Sequence, residues 1–386
     1  MPRQIYLDYN STTPVDPIIL QSMSKYFTHD YGNASSITHS FGKNAKRSYN
    51  EAKNVIADGL NCESDEIIIT SGATESINLA IKGIVESSNV LNKNILTLRT
   101  EHKAVLDTCH YVQRFGVEVE YLDVDEYGYV DIEELNAAIS KNTILVIILH
   151  GNNEIGTINP IEQIGLICKD KQVPLFVDAA QTFGKLPIDV KSGSISMLAG
   201  SAHKIYGPKG VGFLYKDKSI RLEPLIHGGG QEIGLRSGTI NVSGVVGLAE
   251  AFKLIQHQRD IETKKINEMT TLFINCLEDY GNIFTINGPK KNRLVGNLNL
   301  SLTNVDAAWL TTMLPNIAVA RGSACTSETI QPSHVLRAIG LSDDKADCAI
   351  RVSFGRFTTK DEVIEAAKAI SLKAQEYLSK RKSLAI

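Results

Sequence analysis

The chain contains no run of about 18 consecutive apolar residues, the length that a helix needs to cross a membrane, so no membrane-spanning segment is predicted. Its opening residues, MPRQIYLDYN, lack the apolar stretch of a secretory signal peptide. None of the six cysteines forms a Cys-x-x-Cys pair, which argues against a structural zinc site and against a disulfide framework. Together these absences predict a cytoplasmic protein with reduced thiols, no metal site and no membrane partner.

A large excess of charge of one sign is also lacking. The 40 basic residues nearly balance the 43 acidic ones, which leaves a net charge of −3. No overall positive field would attract a nucleic acid, so no direct nucleic-acid binding is expected. No internal repeat, low-complexity tract or long linker interrupts the chain.

Short apolar runs alternate with helix-like stretches between about residues 65 and 215. Strands that alternate with helices build a mostly parallel sheet that helices cover on both faces. The predicted strands are 66–70, 94–98, 117–122, 144–149, 174–179, 196–200 and 210–215.

The pattern changes after Thr239, where a long helix at about 245–280, a strand at 296–302 and an amphipathic terminal helix follow. A length of 386 residues also exceeds the usual size of a single core. The sequence therefore predicts an α/β fold with two domains. The large one spans 16–250, and the small α+β one combines 1–15 with 251–386.

Polar side chains follow several of these strands at the point where each strand ends. They are Ser71 with Thr74, His102, Asn152 with Asn153, Asp178 with Gln181, and Lys204. Each cluster alone has an ordinary explanation as a helix cap, a turn or a structural histidine. The carboxyl ends of parallel strands share one edge of a sheet, where ligands bind. A helix start for a phosphate, a carboxylate, a histidine and a lysine together are the groups that pyridoxal phosphate requires.

Longer motifs, spread over nearly the whole chain, resemble those of one enzyme family. They are IYLDYNSTTPVDP, SGATESINLAI, TEHKAVLDTC, NNEIGTINPI, VDAAQTFGKLPIDV, SAHKIYGPKGVGFLY, HGGGQEIGLRSGT, GSACTS and RVSFGRFTT. On these motifs the chain resembles the cysteine desulfurases, pyridoxal-phosphate enzymes of the class V aminotransferase-like, fold-type I group. The resemblance implies a homodimer that uses L-cysteine as its substrate.

The resemblance also implies roles for the residues at the strand ends. Lys204 matches the lysine that binds the cofactor covalently, and His102 matches the histidine that stacks on the pyridine ring and moves protons. Asp178 resembles the partner of the pyridine nitrogen. Gln181 and Asn153 resemble contacts to the phenolic oxygen of the cofactor, and Asn153 is also expected to face the substrate.

Further matches concern the phosphate and the substrate carboxylate. The expected phosphate cradle comprises Ala73, Thr74, Ser201 and His203. Thr239 resembles the residue that reaches the phosphate in the neighbouring subunit. Arg351 matches the arginine that binds the substrate carboxylate, for which a bidentate guanidinium pair is well suited.

Cys325 matches the nucleophile of the family and lies in a loop expected at about 321–332. As a thiolate it would attack the substrate sulfur and keep it as a persulfide, and it could also ligate a transferred iron–sulfur cluster. The chain departs from the family at two places. Arg321 stands where a small hydroxyl residue is usual, and segment 32–36 lacks the common proline after Asn33.

The implied reaction converts L-cysteine to L-alanine and passes the sulfur to an acceptor protein. Family members that supply iron–sulfur scaffolds continue into an apolar, aromatic tail, whereas this sequence ends in the basic stretch EYLSKRKSLAI. That difference favours a dedicated acceptor, such as an enzyme of tRNA thiolation or DNA phosphorothioation. An iron–sulfur scaffold is the alternative acceptor.

Parts of the sequence also match other classes of protein. The sequence Ser201-Ala-His-Lys204 satisfies the S-x-x-K motif of serine acyl transfer, but the companion motifs S-D-N and K-T-G are missing. A transaminase has no need for Cys325, and a non-catalytic scaffold has no need for Lys204. A selenocysteine lyase stays open, because selenium and sulfur substrates attach to the cofactor in the same way.

Overall fold

The computed structural model describes residues 3–88, 91–281, 283–321 and 332–384. The strands among these residues are β1 (Ile5–Tyr6), β2 (Ile67–Thr70), β3 (Asn94–Leu98), β4 (Glu118–Leu122), β5 (Thr143–Leu149), β6 (Leu175–Asp178), β7 (Met197–Ser201), β8 (Gly212–Lys216), β9 (Phe284–Asn287), β10 (Asn297–Leu302), β11 (Ile317–Ala318) and β12 (Ala349–Ser353). The α-helices are α1 (Pro17–Thr28), α2 (Ser40–Leu60), α3 (Ala73–Ser87), α4 (Lys103–Val112), α5 (Ile132–Ala138), α6 (Ile161–Asp170), α7 (Val242–Glu278), α8 (Ala307–Thr312), α9 (His334–Ala338), α10 (Asp343–Asp347) and α11 (Lys360–Leu384).

Seven of the strands form one large sheet in the order β2-β8-β7-β6-β5-β3-β4. All neighbours pair in parallel except β8, which runs antiparallel to both β2 and β7. Helices cover both faces, so alternate residues of a central strand enter two different cores. In β5, Val146 and Ile148 pack into the core that contains α2, α6 and α7. Leu145 and Ile147 pack into the core that contains α3 and α4. Burial on both faces explains why β5 is apolar along nearly its whole length.

A second, antiparallel sheet has the order β12-β10-β9, and β1 pairs with β11 in a short parallel ribbon. The apolar residues of this sheet pack against α11, against the second half of α7 and against Ile5 and Leu7 of the N-terminal segment. Helix α7 runs without a break through the predicted boundary at residue 250. The division into two domains therefore stays a prediction, supported by the separate core around the small sheet.

The predicted α/β fold with a mostly parallel sheet is confirmed. The strands of the large sheet begin and end within about two residues of the predicted ranges, because apolar runs buried on both faces are easy to locate in a sequence. The short strands β1 and β11, and the antiparallel strands β9 and β12, were not predicted. β9 alternates between partly buried and exposed residues over only four positions, which leaves a weak pattern.

Candidate active site

Five strands of the large sheet end at one cavity of about 390 Å³. Parallel strands finish at the same edge, so the side chains that follow β2, β3, β5, β6 and β7 meet there. The expected site residues that line this cavity are Ala73, Thr74, His102, Asn153, Asp178, Gln181, Ser201, His203, Lys204 and Arg351. Residues that lie more than 270 positions apart in sequence therefore share one pocket.

Lys204 reaches the cavity from a short turn after β7. Strand β7 ends at Ser201, and Ala202–Lys204 form one turn of 3₁₀ helix. The Lys204 Nζ donates to the backbone carbonyl of Asn10 at 2.6 Å and to that of Ser11 at 2.8 Å. The amine is thus held at the cavity wall by the N-terminal segment, in a position to react with a carbonyl compound bound there.

Asp178 and His102 form an electrostatically coupled pair in the same wall. Burial raises the pKa of Asp178 and lowers the pKa of His102, and the charge of each group opposes the effect of burial on the other. Asp178 Oδ1 accepts the backbone N–H of Ala180 at 2.9 Å, and His102 Nδ1 accepts that of Ala104 at 3.1 Å. Because Nδ1 is an acceptor, the neutral imidazole carries its proton on Nε2.

Glu101, which the sequence analysis did not single out, lies directly before His102 and is buried. Its Oε1 accepts the backbone N–H of Leu149 at 2.6 Å, while Oε2 has no hydrogen-bond partner among the described atoms. Burial, followed by the negative charge of Asp178, raises the pKa of Glu101 well above its ordinary value. A neutral Glu101 avoids a second negative charge beside Asp178.

The start of helix α3 supplies an anion-binding end to the cavity. The first backbone N–H groups of a helix have no partner within the helix and favour a negative ligand. A Cβ placed on Gly72, just before α3, would lie 3.9 Å from Ser201 Oγ, so the α3 start and the end of β7 are adjacent. Burial and the charge on Lys204 lower the pKa of His203 to about 4, so this imidazole is neutral at pH 7.

An ion pair ties this helix start to the glycine-rich segment around residue 230. Arg236 Nε donates to Glu75 Oε1 at 2.9 Å, and Glu75 Oε2 accepts the backbone N–H of Ser71 at 2.8 Å. Burial acts to raise the pKa of Glu75, but the bonds from Arg236 and Ser71 outweigh it and the pKa is lowered. Glu75 therefore stays ionised, with its charge compensated by Arg236.

Arg351 enters the cavity from the small sheet and is only 1% exposed. Its Nη2 donates to Asp8 Oδ1 at 2.7 Å and to Ser11 Oγ at 2.6 Å. Its Nη1 donates to the backbone carbonyl of Asn153 at 3.2 Å. That carbonyl also accepts the side-chain amides of Asn10 and Asn297. The loop after β5 is thereby joined to the N-terminal segment and to the small sheet.

Two of the expected site residues, Thr239 and Cys325, are not among the described residues that line the cavity. Thr239 is exposed and does not line it. Cys325 lies outside the described residues, as does most of the expected loop at 321–332. Arg321, at the start of that loop, is described and exposed.

The cavity also contains a wall that residue patterns did not reveal. Asn10, Ser11 and Thr12 line it, and Thr12 Oγ1 lies 3.1 Å from His203 Nδ1. These residues belong to a motif quoted for the family resemblance, but no role was assigned to them. The polar run DYNST after a short apolar strand was the only local signal.

Two findings on the described residues limit the kinds of site present. No group of three or more His, Cys, Asp or Glu side chains there is arranged to hold a metal ion. No helix in the same ranges is long and apolar enough to cross a membrane.

Comparison with known proteins identifies the family. Residues 5–365 match the aminotransferase class-V family. A protein named cysteine desulfurase IscS from Glaesserella parasuis is 45% identical over 381 residues, covering 96% of this chain and 94% of that protein. The chain belongs to the cysteine desulfurases of the class-V aminotransferase family. The resemblance drawn from the sequence motifs is thereby confirmed.

Solved structures agree with this assignment. A NifS-like protein superimposes with a TM-score of 0.90 at 36% identity, covering 96% of this chain and 99% of that one. SspA, solved in complex with cysteine, superimposes with a TM-score of 0.81 at 37% identity, covering 92% of this chain and 100% of that one. The chain is accordingly an enzyme with the fold-type I architecture.

Cysteine desulfurases of this family depend on pyridoxal phosphate, and the cavity residues fit that cofactor. The cavity offers an amine at Lys204, a buried carboxylate at Asp178, an imidazole at His102 and a helix N-terminus at Ala73. These are the groups that would meet the aldehyde, the pyridine nitrogen, the ring face and the phosphate, respectively. The cofactor prediction is confirmed at the level of the family.

Proposed function

We propose that this enzyme converts L-cysteine to L-alanine, holds the sulfur as a persulfide on Cys325 and passes it to an acceptor protein in the cytoplasm. The observation that carries the proposal is the convergence of Lys204, Asp178, His102 and Arg351 on one cavity of about 390 Å³. A cavity of that size matches a cofactor together with a small amino acid.

Arg351 would bind the substrate carboxylate. A guanidinium can bind a carboxylate through two parallel N–H bonds, which fixes orientation as well as position. The contacts of Arg351 with Asp8 and Ser11 orient the guanidinium, and its buried Nε has no partner among the described atoms. Substrate binding at Arg351 would leave Cα near Lys204, which lines the same cavity.

Lys204 would take the proton from Cα of the substrate and return a proton later in the reaction. Two carbonyl acceptors hold its amine at the cavity in the meantime. His102, with its proton on Nε2, would donate a proton to the substrate or accept one from it, on the side opposite Lys204. Asp178 would hold a proton on the pyridine nitrogen. Bound pyridoxal phosphate supplies an electron sink for the bonds that break at the substrate.

The cysteines described by the structure are poor candidates for the nucleophile. Burial raises the pKa of Cys62, Cys109 and Cys168 to about 12, and it also raises the pKa of Cys276 and Cys348. A thiol must ionise before it can attack sulfur. The assignment to Cys325 rests on this contrast and on the GSACTS motif.

The sulfur step balances without an external oxidant. The Cys325 thiolate forms an S–S bond to the substrate sulfur while the Cβ–S bond breaks. The electron pair of that bond goes to the substrate, whose Cβ takes up a proton and becomes the methyl group of alanine. The enzyme then carries one sulfane sulfur for transfer.

A homodimer with shared sites is part of the proposal. Thr239 is exposed and lies three residues beyond Arg236, which is fixed to the α3 start by its ion pair with Glu75. Ile233, in the same segment, is 64% exposed although it is apolar. An exposed apolar residue six positions before Thr239 fits an interface in which Thr239 reaches the phosphate site of the other subunit.

We favour an acceptor that modifies nucleic acids with sulfur. The exposed cation Arg321 begins the nucleophile loop, and Lys380 and Arg381 are exposed on α11. A cation at the start of the nucleophile loop would select an acidic acceptor face and oppose a basic one. An iron–sulfur scaffold is the alternative acceptor, as it was in the sequence analysis.

The test uses cysteine labelled with radioactive sulfur. The wild-type enzyme should form alanine and hold label on the peptide that contains Cys325. Cys325→Ser should bind the cofactor and cysteine, because neither needs the thiol, but should release no alanine and hold no label. Cys62→Ser is the matched control and should behave like the wild type. Sustained alanine formation by Cys325→Ser would contradict a protein nucleophile at that position.

The same labelled enzyme then tests the acceptor. It is offered to a tRNA-thiolating or DNA-phosphorothioating protein and, separately, to an iron–sulfur scaffold. Transfer to the nucleic-acid enzyme, weakened by Arg321→Glu, is expected. Efficient transfer to the scaffold alone would overturn this choice of acceptor and leave the desulfurase reaction intact.

A further inference from the structure

Lys185 is a partly buried lysine that the proposed reaction does not use. Its side chain lines a second cavity of about 60 Å³, which shares Asn10 and Lys204 with the main cavity. A lysine loses much of its hydration when it is buried, so its presence requires a compensating interaction. The question is what Lys185 contributes at this position behind the active site.

A chain of hydrogen bonds joins Lys185 to the active-site lysine. Lys185 Nζ donates to Gln181 Oε1 at 3.4 Å, and Gln181 Nε2 donates to the Asn10 carbonyl at 2.8 Å. The same carbonyl accepts Lys204 Nζ at 2.6 Å. Gln181 lines the main cavity, whereas Lys185 lies behind it. The side chain of Gln181 therefore separates the Lys185 ammonium from the cofactor site.

The bonds to Asn10 and to Lys185 agree on one orientation of the Gln181 amide. An amide has two donors on nitrogen and two acceptor positions on oxygen. With Oε1 on Lys185 and one N–H on Asn10, the second N–H of Gln181 is left for a partner in the main cavity. Without the ammonium, the buried Oε1 would lose its donor, while the bond from Nε2 to the Asn10 carbonyl would still hold the amide in place.

The positive charge of Lys185 also acts on a residue of the main cavity. It contributes to the lowering of the pKa of His203, a residue of the main cavity. Burial lowers the pKa of Lys185 itself to about 8, and the negative charge of Glu262 opposes that effect. Glu262 is paired with Arg356 at 2.7 Å, so its charge is already compensated. The titratable and charged groups that surround Lys185 are Tyr9, His203, Lys204, Tyr206, Arg259 and Glu262.

We propose that Lys185 is a positioning residue, which provides a donor to the buried Oε1 of Gln181 and places a positive charge behind that amide. The proposal rests on the proposed function, in which Gln181 faces the phenolic oxygen of the cofactor. An ammonium on the far side of the amide polarises it and favours negative charge on that oxygen. Lys185 thereby promotes ionisation of the bound cofactor without touching it.

The experiment measures the pH midpoint of the visible absorption band of the bound cofactor. Lys185→Met removes the charge at similar length and should raise that midpoint by about one pH unit. Lys185→Arg keeps the charge and should stay close to the wild type, which also shows that the site tolerates substitution. Lys191→Met, at an exposed lysine, is the matched control and should leave the midpoint unchanged.

A double-mutant cycle tests the route through Gln181. If Lys185 acts through the amide, Lys185→Met should shift the midpoint far less in a Gln181→Ala background than in the wild type. An unchanged midpoint in Lys185→Met, or full additivity in the cycle, would overturn the inference alone. Absence of any cofactor band in the wild-type enzyme would overturn the proposed function together with it.

Discussion

The seven-stranded sheet and the three-stranded sheet both reach the active site, but from different parts of their strands. Both faces of the large sheet are packed with apolar residues, as Val146 and Leu145 of β5 illustrate. The side chains that this sheet gives to the cavity come from strand ends, and Asp178 and Ser201 are the last residues of β6 and β7. The chemistry of the large sheet is confined to one edge.

The small sheet contributes from one face, and its cavity residue Arg351 lies in the middle of β12. In β12, Ile350 and Val352 enter the apolar core, while Arg351 between them points to the opposite face. In β10, Asn297 lies beside that face and donates to the carbonyl of Asn153. One face of the antiparallel sheet is therefore polar and meets the active site, and the other is apolar and meets α7 and α11. The large sheet brings polar groups to the cavity from one edge, whereas the small sheet brings Arg351 to it from one face.

This difference predicts that removal of a group at the large-sheet edge stops the reaction itself. Lys204→Ala should lower the rate of alanine formation about 10³-fold or more, because the proposed reaction assigns the transfer of the Cα proton to the Lys204 amine. Lys209→Ala is the matched control, since Lys209 lines the same cavity but is exposed. Its rate should fall at most a few-fold.

Borohydride reduction of the wild-type enzyme provides the second readout for this residue. Mass spectrometry should find the trapped cofactor on the peptide that contains Lys204. A cofactor found on Lys209 or Lys185 would show that the edge residue was assigned wrongly.

A group on the polar face of the small sheet should affect binding more than chemistry. Arg351→Lys keeps the charge but loses the two-bond geometry, so KM for cysteine should rise about 10-fold to 100-fold while kcat falls less. Arg356→Lys is the control, because Arg356 pairs with Asp16 and Glu262 and does not line the main cavity. It should lower thermal stability and leave KM nearly unchanged. An Arg351→Lys enzyme with a normal KM and a low kcat would show that this face of the small sheet affects the chemical step more than substrate binding.

The same contrast between the two sheets explains which parts of the fold and of the site the sequence predicts. The large sheet was predictable, since strands buried on both faces give continuous apolar runs and its polar groups come directly after them. Lys204, Asp178 and His102 were located in this way. Arg351 was found only through the family resemblance, because an arginine inside a short strand has no local signature.

The remaining parts of the site depend on contacts that are distant in sequence. Asn10 and Ser11 form a wall because residues 8–16 pack along the turn that carries Lys204, as the bond from Thr13 N–H to the His203 carbonyl shows. Glu101 is buried and its carboxyl senses the charge of Asp178, although Glu101 lies in the turn after β3 and Asp178 ends β6. Neither arrangement follows from spacing or composition, and both required the structure.

The smallest expected effect is on the pH dependence of stability, and it concerns a histidine at the end of a large-sheet strand. His150 directly follows β5, is buried, and has a pKa lowered by burial to about 4. Between pH 6.5 and 4 the unfolded chain therefore binds a proton at this residue that the folded chain does not. The stability that His150 contributes is complete above about pH 6.5 and is lost as the pH falls towards 4.

Glu101, with its raised pKa, acts in the opposite direction over part of this range, so the informative quantity is the difference between two proteins. Between pH 7 and pH 5 the wild type should lose about 2 kcal/mol more stability than His150→Gln, measured from urea midpoints. His257→Gln, at an exposed histidine of α7, should keep the pH dependence of the wild type. Equal acid sensitivity in the wild type and His150→Gln would show that the buried histidine of the large sheet does not set this pH dependence.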